Sequence, residues 1–459
     1  MFRKCLKVMT LALALVMVFS MFGCAPSAPA SQEPSAQVSE SAPAEAPESP
    51  SEAAAEPVTI KVFTNLPDRE NGQGKLEQML FDQYVTDNPN VTIEVEALQD
   101  EPYKQKFKAY TASDSLPDLV SVWGQPAFID PVINSGYLLE LNPEDYADYN
   151  FFDGSLNGFS KDGKLYGLPR NTDMMVFYYN KAIFEEYGIS VPQTWEDLLA
   201  IPDKLKGSDI AACSMTGKDM WPIAIMFTDI VNKYTGDNAL ISKAIQSGDF
   251  SDAKLLEAAQ KMQELIDTKF FQDSFTAAGY DEARNVFAQG LTATYYMGSW
   301  EMSLVNNESY DADFRSNLGV FELPSPTGAT GKITNIPAWN GGGHAIAAGT
   351  KIKDEVVKLL NYMYEPENWA KNAYQLSICF PAQNFKEYMT GEENEIQTTL
   401  IDYLDTSTSL SGTPMNDCGT ASFKEQSENI SQQFAAGMLD AQGFITALQE
   451  AALATKDEQ

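Results

Sequence analysis

Between residues 58 and 122 the apolar positions switch repeatedly between two periods. Val58-Thr59-Ile60-Lys61-Val62-Phe63 alternates and is rich in β-branched residues, which predicts a strand. Leu76, Met79, Leu80 and Tyr84 recur at helical spacing until Asn88-Pro89-Asn90 breaks the run. Val91-Thr92-Ile93-Glu94-Val95 predicts a second strand, Tyr103 to Tyr110 a second helix, and Leu119-Val120-Ser121-Val122 a third strand. This βαβαβ order implies an α/β fold with a parallel sheet and right-handed crossovers. Ligands of such sheets gather beyond the carboxyl ends of the strands, which here offer Asn65 to Arg69 and Trp123-Gly124-Gln125. Farther on, the strand-like run from Gly167 to Lys181 feeds a helix carrying Ile183, Phe184 and Tyr187 and stopped at Gly188. Thr194 and Asp197 then have the spacing of a capping box.

The first residues follow another pattern. Arg3, Lys4 and Lys7 precede a mostly apolar run from Val8 to Phe22, the arrangement of a secretion signal over residues 1–23. That run is short for a permanent membrane span. Gly23 and Cys24 resemble the lipobox of bacterial lipoproteins, although Met21 and Phe22 stand where Leu and a small residue are usual. The resemblance implies that Cys24 is acylated and becomes the first residue of the mature chain. Residues 25–56 contain 10 Ala, 7 Ser, 6 Pro, 6 Glu, 2 Gln and one Val, so they cannot form a core. With Cys24 they read as a lipidated cysteine and a disordered tether, 24–56. The expectation is a body held at the outer face of the bacterial cytoplasmic membrane.

Composition narrows the function. With 31 Lys+Arg against 64 Asp+Glu, the formal charge of -33 disfavours nucleic acid and electrostatic adhesion to anionic lipid. His344 is the single histidine, which removes most His-based metal sites and any mechanism needing two imidazoles; it reads as a satisfied strand histidine. No cofactor and no metal are expected. Cys213, Cys379 and Cys418 lack CxxC spacing and read as buried thiols, with one disulfide left open. Gly341-Gly342-Gly343 lacks the Lys-Ser/Thr ending of a phosphate loop.

Several segments share an order with one known group. Leu168-Pro169, Tyr179-Asn180-Lys181 before a helix, and Pro192-Gln193-Thr194-Trp195-Glu196 resemble the family 1 extracellular solute-binding proteins of ABC importers, the maltose-binding-protein-like family. Gln193 replaces the usual Lys. Pro117 to Val120, Gly136 to Leu141, Phe287 to Thr294 with Met297 to Trp300, and Gly341 to Ile346 continue the resemblance in the family's order, over about residues 58–385. It implies a two-lobe periplasmic-binding-protein fold of type II, with hinge-linked lobes and an interleaved chain. Residues 57–170 with 318–365 would make the first lobe and 171–317 with 366–459 the second. The chain would leave the first lobe near Asp173–Phe177 and return near Asn317–Leu323.

The resemblance also implies roles. Trp123 matches a tryptophan beside the family's sugar site, Asp173 a hinge-proximal acid, and Trp300 a sugar-stacking tryptophan. Asn65 and Asp68 fall where the first strand delivers polar ligands. Trp221 suits a second-lobe platform, and Trp339 with Asn340 a wall and a two-sided hydrogen bonder beside glycines that let backbone approach a guest. Glu301 reads as a solvated charge, and Arg170 as either an anion grip or a brace. The implied function is capture of a carbohydrate, an oligosaccharide, and its delivery by a monomer to ABC permease subunits. A binder of a peptide or polyamine keeps the same fold, and a surface glycosidase using Asp173 and Glu301 is the enzyme alternative.

Overall fold

The computed structural model describes residues 56–332, 338–406 and 413–458, and these fall within one compact unit, Ala54–Gln459. The expected secretion signal, Cys24 and the expected tether up to residue 55 lie outside the described residues. In chain order the elements that build the cleft begin with β1 (Val58–Thr64), α1 (Gly72–Asp87), β2 (Val91–Ala97), α2 (Asp100–Ala112), β3 (Leu119–Trp123) and α3 (Pro126–Asn134). Then come β4 (Leu168–Pro169), β5 (Asp173–Asn180), β6 (Ala211–Ser214), α4 (Trp221–Thr235), α5 (Tyr280–Ala288) and β7 (Thr292–Gly298). The last are β8 (Leu318–Phe321), β9 (Ala338–Trp339), β10 (Gly342–Ile346) and α6 (Ala421–Ala435).

Two five-strand groupings result. The first sheet runs β2-β1-β3-β10-β4, with β1 parallel to β2 and β3 and with β10 antiparallel to β3 and β4. The parallel half is the βαβαβ unit that the alternating periods predict. The second sheet runs β8-β5-β7-β6, with β9 also paired to β5. Each sheet carries its own apolar core: Ile60, Phe63, Leu119 and Trp369 in one, Phe177, Tyr296, Phe227 and Phe434 in the other. Burial of such aromatic and branched side chains drives each lobe's formation. Thr194 accepts from the Asp197 amide while Asp197 accepts from the Thr194 amide, the reciprocal cap its spacing predicts.

Two places differ from the expected lobe composition. Leu318–Phe321, expected to begin the return to the first lobe, pairs antiparallel with β5 in the second sheet. Its apolar run is satisfied there, where Phe321 stacks on Phe177 with ring centroids 5.0 Å apart. Among the described residues, the chain next pairs with the first sheet at Gly342. Conversely, Trp369, Ala373, Ile378 and Cys379 beyond residue 365 pack in the first core.

Candidate functional site

A cavity of about 560 Å³ lies between the two sheets, and seven of the eight sequence-expected site residues line it: Asn65, Asp68, Trp123, Asp173, Trp221, Trp300 and Trp339. The lobes meet around it. Asn71 Nδ2 donates to Ser309 Oγ at 3.4 Å, Gln99 Nε2 to Asp281 Oδ1 at 3.5 Å, and α6 of the second core packs on α3 of the first.

On the first-sheet side, Trp123 stands at the carboxyl end of β3 against Tyr103 and Phe128, with the Lys104 ammonium 5.1 Å from its ring centroid. Asn65 follows β1; its amide donates to Ser121 Oγ at 3.3 Å and its Oδ1 accepts from Arg170 Nη2 at 3.0 Å. Ser121 Oγ donates in turn to Thr64 Oγ1 at 3.2 Å, and Thr64 Oγ1 to Glu77 Oε1 at 3.1 Å. Glu77 is fully buried and also pairs with Arg69 and with His344 Nε2, the latter at 2.8 Å. Burial alone would raise its pKa, but the His344 hydrogen bond and the Arg69 charge outweigh it and hold the carboxyl down to about 2. His344 is therefore the satisfied strand histidine its context suggests, with Nδ1 2.9 Å from Tyr364 Oη. Burial holds its pKa below the usual value.

Asp68 lines the cavity, but its Oδ1 accepts from the Glu70 and Asn71 amides, both at 3.1 Å, so it braces the turn into α1. Asn340 is the expected residue outside the lining. Its Nδ2 donates to Asn171 O at 3.2 Å and Thr172 Oγ1 at 3.0 Å, which ties β10's approach to the crossover and turns the amide away, while Gly341 and Gly342 face the cavity.

The second-sheet side is aromatic. Trp339 sits in register with Asp173 on β5, so the strand pairing itself juxtaposes an indole and a carboxyl. Trp221, Trp300 and Trp339 form one wall, with successive ring centroids 6.0 and 6.3 Å apart. Trp300 folds back over Gly298, where a Cβ would lie 2.0 Å from the indole. Its Nε1 donates to Tyr280 Oη at 2.8 Å, and that hydroxyl donates to Glu301 Oε1. Arg284 bridges Glu301 at 3.4 Å and Asp281 at 2.6 Å. Glu301 is thus a correction: with 5% exposure it is a buried, doubly held carboxylate and not a solvated charge. Asp173 accepts from Asn171 Nδ2 and from the Gly341 amide, yet burial outweighs these and the Arg170 charge and pushes its pKa up to about 7.

Sequence reasoning missed Tyr280, Arg284, Lys104 and the C-terminal group Asn416, Asp417 and Lys424, all of which line the cavity. Asp281 and Arg284, an i,i+3 pair on a helix, were a readable signal; Asn416 to Lys424 carried none beyond helical periodicity. Cys213 and Cys379 are buried free thiols and Cys418 is a partly exposed one. Among the described residues no group of three or more His, Cys, Asp and Glu is arranged to hold a metal ion, and no helix is long and apolar enough to cross a membrane.

Residues 68–368 match the family model of bacterial extracellular solute-binding proteins. An uncharacterized ABC transporter extracellular-binding protein of Pyrococcus horikoshii is 27% identical over 52% of this chain, which spans 54% of that relative's length. The multiple sugar-binding protein of Streptococcus mutans is 23% identical over 67% of this chain and 71% of its own. Among solved structures, one from work on xylan utilization by Caldanaerobius polysaccharolyticus superposes with a TM-score of 0.77 at 22% identity, covering 85% of this chain and 99% of that one. A chitin oligosaccharide binding protein gives 0.76 at 20% identity, over 88% and 100%. These likenesses establish the two-lobe fold.

Proposed function

The chain belongs to the bacterial extracellular solute-binding proteins, and from that premise we propose that it captures a carbohydrate, an oligosaccharide, for an ABC transporter. The observation that supports this reading is the cavity of about 560 Å³ with tryptophan on both walls and charged or amide groups between them. Indole faces pack against the C–H surfaces of a sugar ring while carboxylates, amides and guanidinium groups bind its hydroxyls. The names of the Streptococcus relative and the chitin-oligosaccharide neighbour favour the same class of guest.

In this reading the protein is a carrier. A guest held by both walls gains contacts only when the lobes are shut, so its differential affinity drives closure. The closed form then docks on the permease subunits. The pair an enzyme would use, Asp173 and Glu301, is already engaged with Asn171, Gly341, Tyr280 and Arg284, which favours binding over hydrolysis. Residues 1–23 direct export and an acylated Cys24 with its tether anchors a monomeric body to the outer face of the membrane.

The test is a titration of the purified chain with a neutral oligosaccharide library, followed by intrinsic tryptophan fluorescence, with chromatography of the mixture afterwards. Saturable quenching with the sugar recovered intact is the expected result. A response to peptides or polyamines alone would replace the sugar reading, and release of shorter sugars would replace the carrier reading.

A further inference from the structure

Among the described residues, every cation lining the cavity except one already has its anion. Lys104 pairs with Asp100 and Glu101, Arg284 with Asp281 and Glu301, and Lys424 with Asp417 and Glu428. Arg170 lines the same cavity at 3% exposure and makes no ion pair within 4.0 Å among the described residues. Its Nη2 donates to Asn65 Oδ1 at 3.0 Å; its Nε and Nη1 are buried with no partner. Guanidinium groups stay charged inside proteins, so this site holds a buried positive charge with no ion-pair partner and two donors unpartnered.

We propose, resting on the saccharide reading above, that the guest carries a carboxylate, as a uronic-acid-bearing saccharide does, and that Arg170 selects it. A neutral hydroxyl could accept from one of the vacant donors, but it would leave the buried charge in place. A carboxylate satisfies both needs at once. The neighbouring Asp173 directs its oxygens to Asn171 Nδ2 and the Gly341 amide and makes no ion pair with Arg170 within 4.0 Å, and burial raises its pKa. The glycine-rich strand serves this arrangement. A Cβ on Gly342 would lie 2.4 Å from Arg170 Nη2, so only a bare backbone lets the guanidinium rest beside β10 at the cavity floor. The other lining carboxylates pair with Lys104, Arg284 and Lys424 or, in Asp68, accept from backbone amides, which blunts their repulsion of an incoming acid.

The experiment is calorimetric titration of the full chain with glucuronosyl-xylotriose and with digalacturonate, each beside its carboxyl-reduced neutral counterpart. The acid is expected to bind at least about tenfold more tightly than its neutral match, equivalent to about 1.4 kcal/mol. Arg170→Gln is expected to bring the two within about threefold by weakening the acid, and Arg170→Lys to keep part of the preference. Should either variant fail to fold, the ratio measured on the unaltered chain still decides. Equal or tighter binding of the neutral counterparts overturns the inference and leaves the saccharide reading standing. No response to either set, with some other solute bound, overturns both.

Discussion

On the first-sheet side of the cavity the polar groups are chained to one another: Glu77 to Thr64, Thr64 to Ser121, Ser121 to Asn65, and Asn65 to Arg170. On the second-sheet side three tryptophans pack in a row, Trp221 tilted on Trp300 and Trp300 edge to face with Trp339, and one local cluster of Tyr280, Arg284 and Glu301 fixes the indole of Trp300. One wall is preorganised by a buried network that reaches from the first core, the other by aromatic packing within its own lobe. The difference separates two tasks. The network aims hydrogen-bond donors, whose value depends on direction. The indoles supply contact area, which depends much less on it.

If that division is right, the largest effect belongs to the network's anchor. Glu77→Gln removes the buried charge that Arg69 and His344 share, and should lower unfolding stability by about 3 kcal/mol in urea titration at pH 7. A change within a few tenths would mean that the first wall is not held this way. The sign with pH follows. Glu77 lies near 2 in the folded chain against its ordinary 4.5, so its contribution is complete above 4.5 and is lost as pH falls from 4.5 toward 2. The Glu77→Gln chain should lack that part of the acid slope.

Next in size is the aromatic wall. Trp300→Ala should weaken saccharide binding by about 2 kcal/mol, roughly thirtyfold, while far-ultraviolet circular dichroism stays unchanged. Trp123→Ala, which removes the first wall's lone indole, should cost about 1 kcal/mol in the same calorimetric titration. The reverse ranking would contradict the assignment of contact area to the second wall.

At the junction of the walls the effect is read as a slope with pH. Asp173 has its pKa raised from 3.8 to about 7, so the folded chain holds a proton that the unfolded chain has released. Stability from this group therefore falls as pH rises from 3.8 to 7 and levels above that. Asp173→Asn should flatten this segment of the thermal midpoint against pH, and an unaltered slope would show Asp173 to be charged and well solvated.

The same contrast explains what the sequence made legible. Tryptophans are rare, and a strand end or a glycine turn marks their role, so Trp123, Trp300 and Trp339 could be picked out from local context. The parallel half of the first sheet was legible because Val58–Phe63, Val91–Val95 and Leu119–Val122 are β-branched runs separated by helical periods. The network was not. Thr64, Ser121 and Glu77 are ordinary residues far apart in the chain, and only the β1–β3 pairing and α1 packing bring them together. Glu301 read as exposed because a charge beside Trp300 carries no sign of the Arg284 that buries it. Leu318–Phe321 read as part of the first lobe because an apolar strand fits either sheet, and its partner, β5, is set by tertiary packing.

The central claim is that two lobes close on a guest that leaves unchanged, and small-angle scattering tests it most directly. With a saccharide already shown to quench tryptophan fluorescence, the radius of gyration should fall on saturation, and the sugar should be recovered intact afterwards. Superimposable profiles with and without the saturating sugar would contradict the account.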